Sequence, residues 1–332
     1  MATMAPFRAF VVNKTETSFE IGLKDLTLDD LPMGEVLIKV AYSGVNYKDG
    51  LATLPNGGVA RKYPLVPGVD LAGTVVESQA GRFRTGDEVI VTSYNLGVAH
   101  HGGFSQYARV PAAWVVPIPR GLNTREAMIL GTAGFTAALA LHRLEVNGLT
   151  PAGGPVLVTG ATGGVGSMAV AMLAQAGYMV TASTGKESEH QYLRDLGASE
   201  ILSRAEVEAE SSRPLEKERW AGSVDSVGGS TLAYLVRTTK TNGAIAAVGL
   251  TGGNVLNTSV YPFILRGVSL LGIDSATCPM ALRLDLWERI AEHLKPKNLD
   301  GIVEREASLD EIPEVTAQIL KGGVRGRILI KL

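Results

Sequence analysis

Residues 156–166, VLVTGATGGVG, carry side chains and gaps suited to one task, the holding of an anion. Read from Ala161, Gly163 and Gly166 follow at the spacing Ala-x-Gly-x-x-Gly; read from Gly160 the pattern is Gly-x-x-Gly-x-x-Gly. This is a dinucleotide-binding fingerprint with alanine in its first small-residue slot. Without Cβ atoms at Gly163 and Gly164 the backbone turns sharply and approaches a pyrophosphate. The helix that opens there supplies unpaired amides and the positive end of its dipole. Gly166 lets that helix pack close to the preceding strand. A glycine run by itself is more often the mark of a structural loop. The flanks favour a bound dinucleotide: a valine-rich strand precedes the glycines, a proline-free run of small and apolar residues follows, and a second strand, residues 178–182, completes a βαβ unit.

The end of that second strand selects the dinucleotide. An NAD site places an Asp or Glu there to accept hydrogen bonds from the ribose diol. This chain has Ser183, Thr184, Gly185 and Lys186, with no carboxylate before Glu187. A lysine and two hydroxyls suit a 2′-phosphate instead, so NADP(H) is the expected cofactor. Arg204, after the third strand in ILSR, either reaches the same phosphate or carries surface charge.

A second cluster, Asn46, Tyr47, Lys48 and Asp49, interrupts the strand pattern of GEVLIKVAYSGVN. Polar side chains at a strand end can wall a cleft; on these residues alone a solvated turn before a helix is the favoured reading. Tyr47 is the candidate for orienting a substrate or delivering a proton, with Asn46 and Lys48 assisting.

The elements that must position these groups fall into two styles. From Phe7 to about residue 120, short strands broken by glycine and proline indicate a β-rich, largely antiparallel domain. AMILGTAGFTAALALHRLEV then reads as a buried linking helix. Six strands, PVLVT, YMVTA, EILS, SVDSVG, GAIAAVG and VSLLGID, alternate with helical segments, as a doubly wound parallel sheet requires. The fold class is α/β, with residues 1–124 and 297–332 in the β-rich domain and 125–296 in the dinucleotide domain.

At 332 residues the chain can bury two cores. A formal net charge of −2 gives no electrostatic case for nucleic acid or an anionic membrane, which leaves small molecules and protein subunits as partners. The single cysteine, Cys278, excludes an internal disulfide framework and suits a reducing cytoplasm. No secretory signal is visible in MATMAPFRAF, and no apolar run is expected to reach membrane-spanning length.

The blocks NYKDGLA, PGVDLAGTV, GTAGFTAA, TGATGGVGS, RPLEKERWAG, PFILRGVSLLGIDS and GRILIKL cover almost the whole chain. With them the sequence resembles zinc-independent medium-chain dehydrogenases/reductases of the quinone-oxidoreductase-like branch, and within it the NADPH-dependent acrylyl-CoA reductase group. The resemblance implies a GroES-like catalytic domain beside a Rossmann domain, a small-molecule acceptor (an enoyl-CoA or a quinone), and a homodimer in which VSLLGI is a candidate for edge-to-edge pairing or an interior strand. It implies cofactor contacts at Tyr47 on the nicotinamide side, at Thr162, Gly163, Gly164 and Val165 in the pyrophosphate turn, at Ser226 and Leu270 along the nicotinamide half, and at Arg327. An acyl-CoA substrate would further call for basic residues such as Arg61, Lys62 or Arg266. Zinc-containing relatives carry Gly-His-Glu where this chain has Gly68, Val69 and Asp70, and a valine cannot ligate zinc. Their four-cysteine structural site has no counterpart, and the neighbouring pair His100 and His101 diverges, so no metal is expected.

Overall fold

A computed structural model describes residues 5–332. The chain divides into two compact units, the first comprising residues up to Thr132 with Ala276–Ala291 and Leu299–Leu332, the second Ala133–Ser275 with Glu292–Asn298. The division falls inside the linking helix rather than at residue 124, and residues 276–291 join the first unit rather than the second. Two residues account for these shifts. Gly131 breaks the helix with φ 49° and ψ −152°. Arg283, fully buried, donates from Nη1 to the Thr92 hydroxyl at 2.9 Å, which fastens its helix to the first unit.

In the first unit, β1 (Phe7–Lys14) and β2 (Phe19–Leu26) form an antiparallel ribbon. A larger sheet follows from β3 (Val36–Gly44), β4 (Asp70–Ser78), β5 (Glu88–Thr92), β6 (Tyr107–Val110) and β7 (Val116–Pro117). Between β3 and β4 lies the short helix α1 (Tyr47–Ala52). The sheet packs through Val36, Ile38, Val40, Leu71, Val75 and Val89, the branched residues that a half-buried pleated surface favours.

Helix α2 (Thr124–Val146) carries the chain into the second unit. Against the sequence expectation, its 23 residues are long and apolar enough to cross a membrane by length and composition; 83% of that apolar window is buried inside the protein. The second unit then runs β8 (Val156–Val158), α3 (Gly164–Gln175), β9 (Val180–Thr184), α4 (His190–Asp195), β10 (Glu200–Ser203), α5 (Arg204–Glu208), β11 (Trp220–Asp225), α6 (Gly229–Thr238), β12 (Thr239–Ala247), α7 (Tyr261–Arg266) and β13 (Ser269–Gly272). Its six strands are all parallel in the order β10-β9-β8-β11-β12-β13. Counted within the unit this is 3-2-1-4-5-6, the dinucleotide-binding order, whose reversal point lies between β8 and β11. Leu157, Trp220, Leu235 and Ile245 pack its core.

The chain returns to the first unit through α8 (Met280–Arg289), β14 (Val303–Ala307), α9 (Ile312–Leu320) and β15 (Arg327–Lys331). Strand β15 pairs antiparallel with β3, Leu329 opposite Gly44, and parallel with β14. That pairing sets the C-terminal GRILIKL segment, and Arg327 at its start, beside the end of β3.

Candidate functional site: an open glycine turn and a buried ion pair

In the second unit the glycine turn connects β8 to α3. Gly160 has φ 57°, a left-handed conformation that costs glycine nothing. Gly163 occupies the N-cap of α3, where it donates from N to Gly160 O at 3.0 Å and accepts from Ser167 N at 2.8 Å. The amides of the first turn, Gly164, Val165 and Gly166, have no intrahelical carbonyl to bond, as at any helix start. Gly163, Gly164 and Val165 are partly exposed while Gly166 is buried. A Cβ on Gly166 would collide with Gly160 and would lie 2.7 Å from Ala161 Cα, so the close packing of helix on strand does need glycine there. A Cβ on Gly163 would meet only Gly160 O, at 3.3 Å, which leaves the outer side of the turn clear.

Beside the turn, the predicted phosphate residues come together. Thr184 ends β9, its hydroxyl 3.4 Å from that of Thr162 and accepting from Lys186 N at 3.0 Å. A Cβ on Gly185 would lie 3.1 Å from the guanidinium carbon of Arg204, so Arg204 reaches over Gly185 rather than pointing away from it. Its other partner is Glu208, one helical turn along, with Nε to Oε1 at 3.8 Å. At the tip of β11, Asp225 is buried; its carboxylate accepts from Thr159 Oγ1 at 2.5 Å, Val227 N at 3.2 Å and Gly228 N at 2.9 Å. Burial raises its pKa, against the lowering effect of those donors. These bonds fix Ser226, whose buried hydroxyl oxygen has no hydrogen-bond partner. Free amides, an orphaned hydroxyl and two cations at the ends of β9 and β10 suit a phosphorylated dinucleotide. Leu270 lies on β13, the sheet edge, bonded only to β12 among the described residues and 37% exposed.

In the first unit the polar cluster is largely turned inward. Asn46 is the N-cap of α1, with extended backbone. Its Nδ2 donates to Asp70 Oδ2 at 2.8 Å and its Oδ1 accepts from Arg327 Nη1 at 2.9 Å. Its backbone N donates to Asp49 Oδ2 at 2.8 Å, while Asp49 Oδ1 accepts from Val69 N at 2.9 Å. Asn46, expected to assist at the substrate, thus also links Asp70, Arg327 and Asp49 within the fold. Tyr47 and Lys48 are exposed. Asp49 is buried, and desolvation, followed by the nearby Asp70 charge, pushes its pKa up to about 7.

Arg327, expected at the cofactor, is bonded inward. Its side chain is 2% exposed, and all five guanidinium N–H groups have acceptors within the first unit. Nε donates to Ile129 O at 3.1 Å, Nη1 to Val45 O at 3.1 Å as well as to Asn46, and Nη2 to Asp70 Oδ2 at 3.2 Å and Met128 O at 3.5 Å. No donor is left for a cofactor. Burial lowers the guanidinium's pKa, opposed by Asp70 and then Asp49. Asp70, fully buried, also accepts from Thr132 N at 3.0 Å and Thr132 Oγ1 at 2.5 Å. In the sequence Asp70 stands out only as a departure from a zinc motif and Asp49 only as part of a polar cluster, and Thr132 carries no signal. The absence of an apolar reason for a buried-strand aspartate was the available signal.

The basic residues considered for an acyl-CoA also separate. Arg266 is engaged inside the second unit, donating to Arg237 O at 3.0 Å and Thr239 O at 3.3 Å and to Glu216 O, and pairing with Glu218 at 3.6 Å. Arg61 and Lys62 are exposed.

Residues 32–120 match the alcohol dehydrogenase GroES-like domain, and residues 164–293 match the zinc-binding dehydrogenase family. YhfP of Bacillus subtilis, named as a quinone oxidoreductase, is 53% identical over 98% of this chain and 99% of its own length. The chain belongs to the medium-chain dehydrogenase/reductase family. It lies in the zinc-independent, quinone-oxidoreductase-like branch of these oxidoreductases. The crystal structure of YhfP with NAD bound gives a TM-score of 0.97, covering 99% of this chain and 100% of that one. The acrylyl-CoA reductase AcuI of Ruegeria pomeroyi is 53% identical over 98% of each chain. The yhdH oxidoreductase of Salmonella enterica in complex with NADP, 44% identical, gives a TM-score of 0.94 over 98% of this chain and 99% of that one.

The zinc in one family name does not fit the donors of this member. Val69 offers no ligand atom, Asp70 is held by Arg327, Asn46 and Thr132, and no group of three or more His, Cys, Asp or Glu side chains is placed to hold a metal ion among the described residues. His100 and His101 bond apart: His100 Nε2 lies 3.2 Å from Met33 O, and His101 Nδ1 accepts from Val66 N at 3.4 Å. Burial, with the His100 and Lys62 charges, lowers the His101 pKa to about 4 and keeps that ring neutral at pH 7.

Proposed function

We propose that this protein is an NADPH-dependent reductase of carbon–carbon double bonds conjugated to a carbonyl, with acrylyl-CoA or a similarly short enoyl-CoA as substrate. The observation that carries the reading is the open glycine turn with Thr184 beside it and Arg204 over Gly185. It is supported by the names of the relatives: AcuI as an acrylyl-CoA reductase, and yhdH solved with NADP. The amides of Gly164 and Val165 and the dipole of α3 hold the pyrophosphate; Lys186 and Arg204 neutralise the 2′-phosphate; Ser226 takes a hydrogen bond along the nicotinamide half.

Bound there, NADPH supplies a hydride to the β-carbon of the alkene, and a proton added at the α-carbon completes the saturated thioester. Such an acceptor has the advantage that its charge develops on an enolate oxygen, which hydroxyls and amides stabilise without a Lewis acid. That fits a chain whose zinc-motif positions are Val69 and an already occupied Asp70. Tyr47, exposed at the first position of α1, is the side chain assigned to orient the acceptor or deliver the proton, and Lys48 next to it adds positive charge. Arg61 and Lys62 are the exposed cations offered to the CoA phosphates.

The name of YhfP favours a second reading, a quinone as acceptor, by the same hydride logic with the second ring oxygen as charge sink. Steady-state rates with NADPH against acrylyl-CoA and a simple benzoquinone separate them. The proposal expects acrylyl-CoA to give the higher kcat/KM; turnover of the quinone with none of any enoyl thioester contradicts it, and NADPH binding without oxidation across both acceptors would mark a non-catalytic, redox-sensing protein.

We further assign homodimerisation to the edge strand β13 and the adjoining α7, a cytoplasmic protein being the setting. Tyr261, Ile264 and Leu265 on α7 are 49%, 68% and 62% exposed, an apolar surface that the open edge of β13 continues.

A further inference from the structure

The backbone that leads into Tyr47 is clamped from both sides by charged groups with no access to solvent. Arg327 Nη1 holds Val45 O and Asn46 Oδ1; Asp70 Oδ2 holds Asn46 Nδ2; Asp49 holds Asn46 N and, through its other oxygen, Val69 N. Helix α1 has only six residues, too short to fix its own start, and it is these bonds that bolt its first turn to β4. The chain makes room for the clamp with two glycines. A Cβ on Gly131 would lie 2.5 Å from Asp70 Oδ2 and 2.8 Å from Arg327 Nη2, and one on Gly44 would strike the same Nη2 and lie 3.3 Å from Asp70 Oδ2. Gly131 takes φ 49° there, breaking α2, and the amide of Thr132 after the break donates to Asp70 at 3.0 Å.

Resting on the functional reading above, we propose that Arg327 and Asp70 are positioning residues that hold Tyr47 in its working orientation, and that Arg327 does not touch the cofactor. A guanidinium with five internal acceptors cannot turn to a phosphate without stranding Asp70 and three backbone carbonyls, Val45, Met128 and Ile129. The planar fork is what lets one side chain serve acceptors from the segment after β3, from β4 and from α2 together; an ammonium, with three donors around a single point, does not.

The test uses Arg327→Lys, which keeps the charge and loses the fork, and Thr132→Val, which removes one hydroxyl from Asp70 and stands in should the first variant fail to fold. Three quantities are read on the full chain: the NADPH dissociation constant by fluorescence titration, kcat and KM with acrylyl-CoA, and the fluorine-19 signal of 3-fluorotyrosine placed at position 47 alone. The expected result is an NADPH Kd within about threefold of the parent, a fall in kcat with acrylyl-CoA of about tenfold or more in Arg327→Lys, and a shifted or broadened resonance at Tyr47. An NADPH Kd weakened by more than about threefold assigns Arg327 to the cofactor and overturns the proposal. A Tyr47 resonance unchanged in position and width overturns it as well. The binding and fluorine measurements need no turnover, so a parent protein inactive on acrylyl-CoA would remove the substrate reading and leave the positioning claim to be decided on its own.

Discussion

Two polar regions of this protein treat their hydrogen-bonding groups in opposite ways. In the first unit, Asp49, Asp70, Asn46 and Arg327 are buried or half-buried and bonded to one another and to backbone, with every guanidinium hydrogen accounted for. In the second, the amides at the start of α3 are open and the Ser226 hydroxyl lacks a partner. A buried charge network that is fully satisfied acts as a scaffold, whereas donors left unpaired at a glycine turn are available to a ligand. The presence of an arginine is therefore a weaker guide to an anion site than the state of its donors.

The strongest way to break the contrast is to remove one member of the satisfied set. Asp70→Ala leaves the Arg327 charge buried without its carboxylate, and we expect a loss of about 3–5 kcal/mol in urea unfolding; an unchanged midpoint would mean that the pair is not the anchor described. On the open side, Gly166→Ala forces a Cβ against Gly160 and should weaken NADPH binding by about a hundredfold, whereas Gly163→Ala meets only one atom at 3.3 Å and should cost less than about tenfold. Isothermal titration of the two variants checks the order, and the reverse order would redraw the turn. Ile264→Asp on α7 should convert a dimer to a monomer in light scattering while leaving NADPH affinity within about twofold; a parent protein that is already monomeric contradicts the interface.

The remaining test concerns pH. The Asp49 carboxyl is raised from 3.8 to about 7 by burial and by Asp70, with Arg327 also near. Between these values the folded chain keeps a proton that the unfolded chain has released, so this group's contribution makes stability fall as pH rises from about 4 to about 7, by at most about 1.4 kcal/mol per unit, and level off above. Asp49→Asn should remove that component of the slope. An identical pH dependence of unfolding in parent and variant would show that Asp49 titrates in its ordinary range.

Much of this was legible in the sequence because it is local. The glycine spacing at 160–166, the alternation of six strands with helices and the Ser-Thr-Gly-Lys end of β9 are each set by nearby residues, and the fold places them in a parallel sheet of the expected order. The fate of Arg327 was not local. Its acceptors come from residues 45, 46, 70, 128 and 129, joined by strand pairing and by a helix broken at Gly131, and neither a glycine in an apolar helical run nor family resemblance foretold that break. The inward turn of Asn46 was hidden for the same reason: Asn46-Tyr47-Lys48-Asp49 reads alike whether it faces a cleft or caps a helix. The structure has it capping α1, with only Tyr47 and Lys48 left outside.

The central claim is that the open turn, with the cations beside β9, takes a 2′-phosphorylated dinucleotide. The claim is exposed to direct contradiction, since the YhfP relative was solved with NAD. Parallel titrations of NADPH and NADH into the parent protein and into Lys186→Ala/Arg204→Ala decide it. The account predicts that the parent prefers NADPH by about a hundredfold or more and that the double variant loses most of that preference through weaker NADPH binding, with NADH affinity nearly unchanged. Equal affinity for the two cofactors in the parent, or a preference for NADPH that survives the loss of both cations, would contradict it.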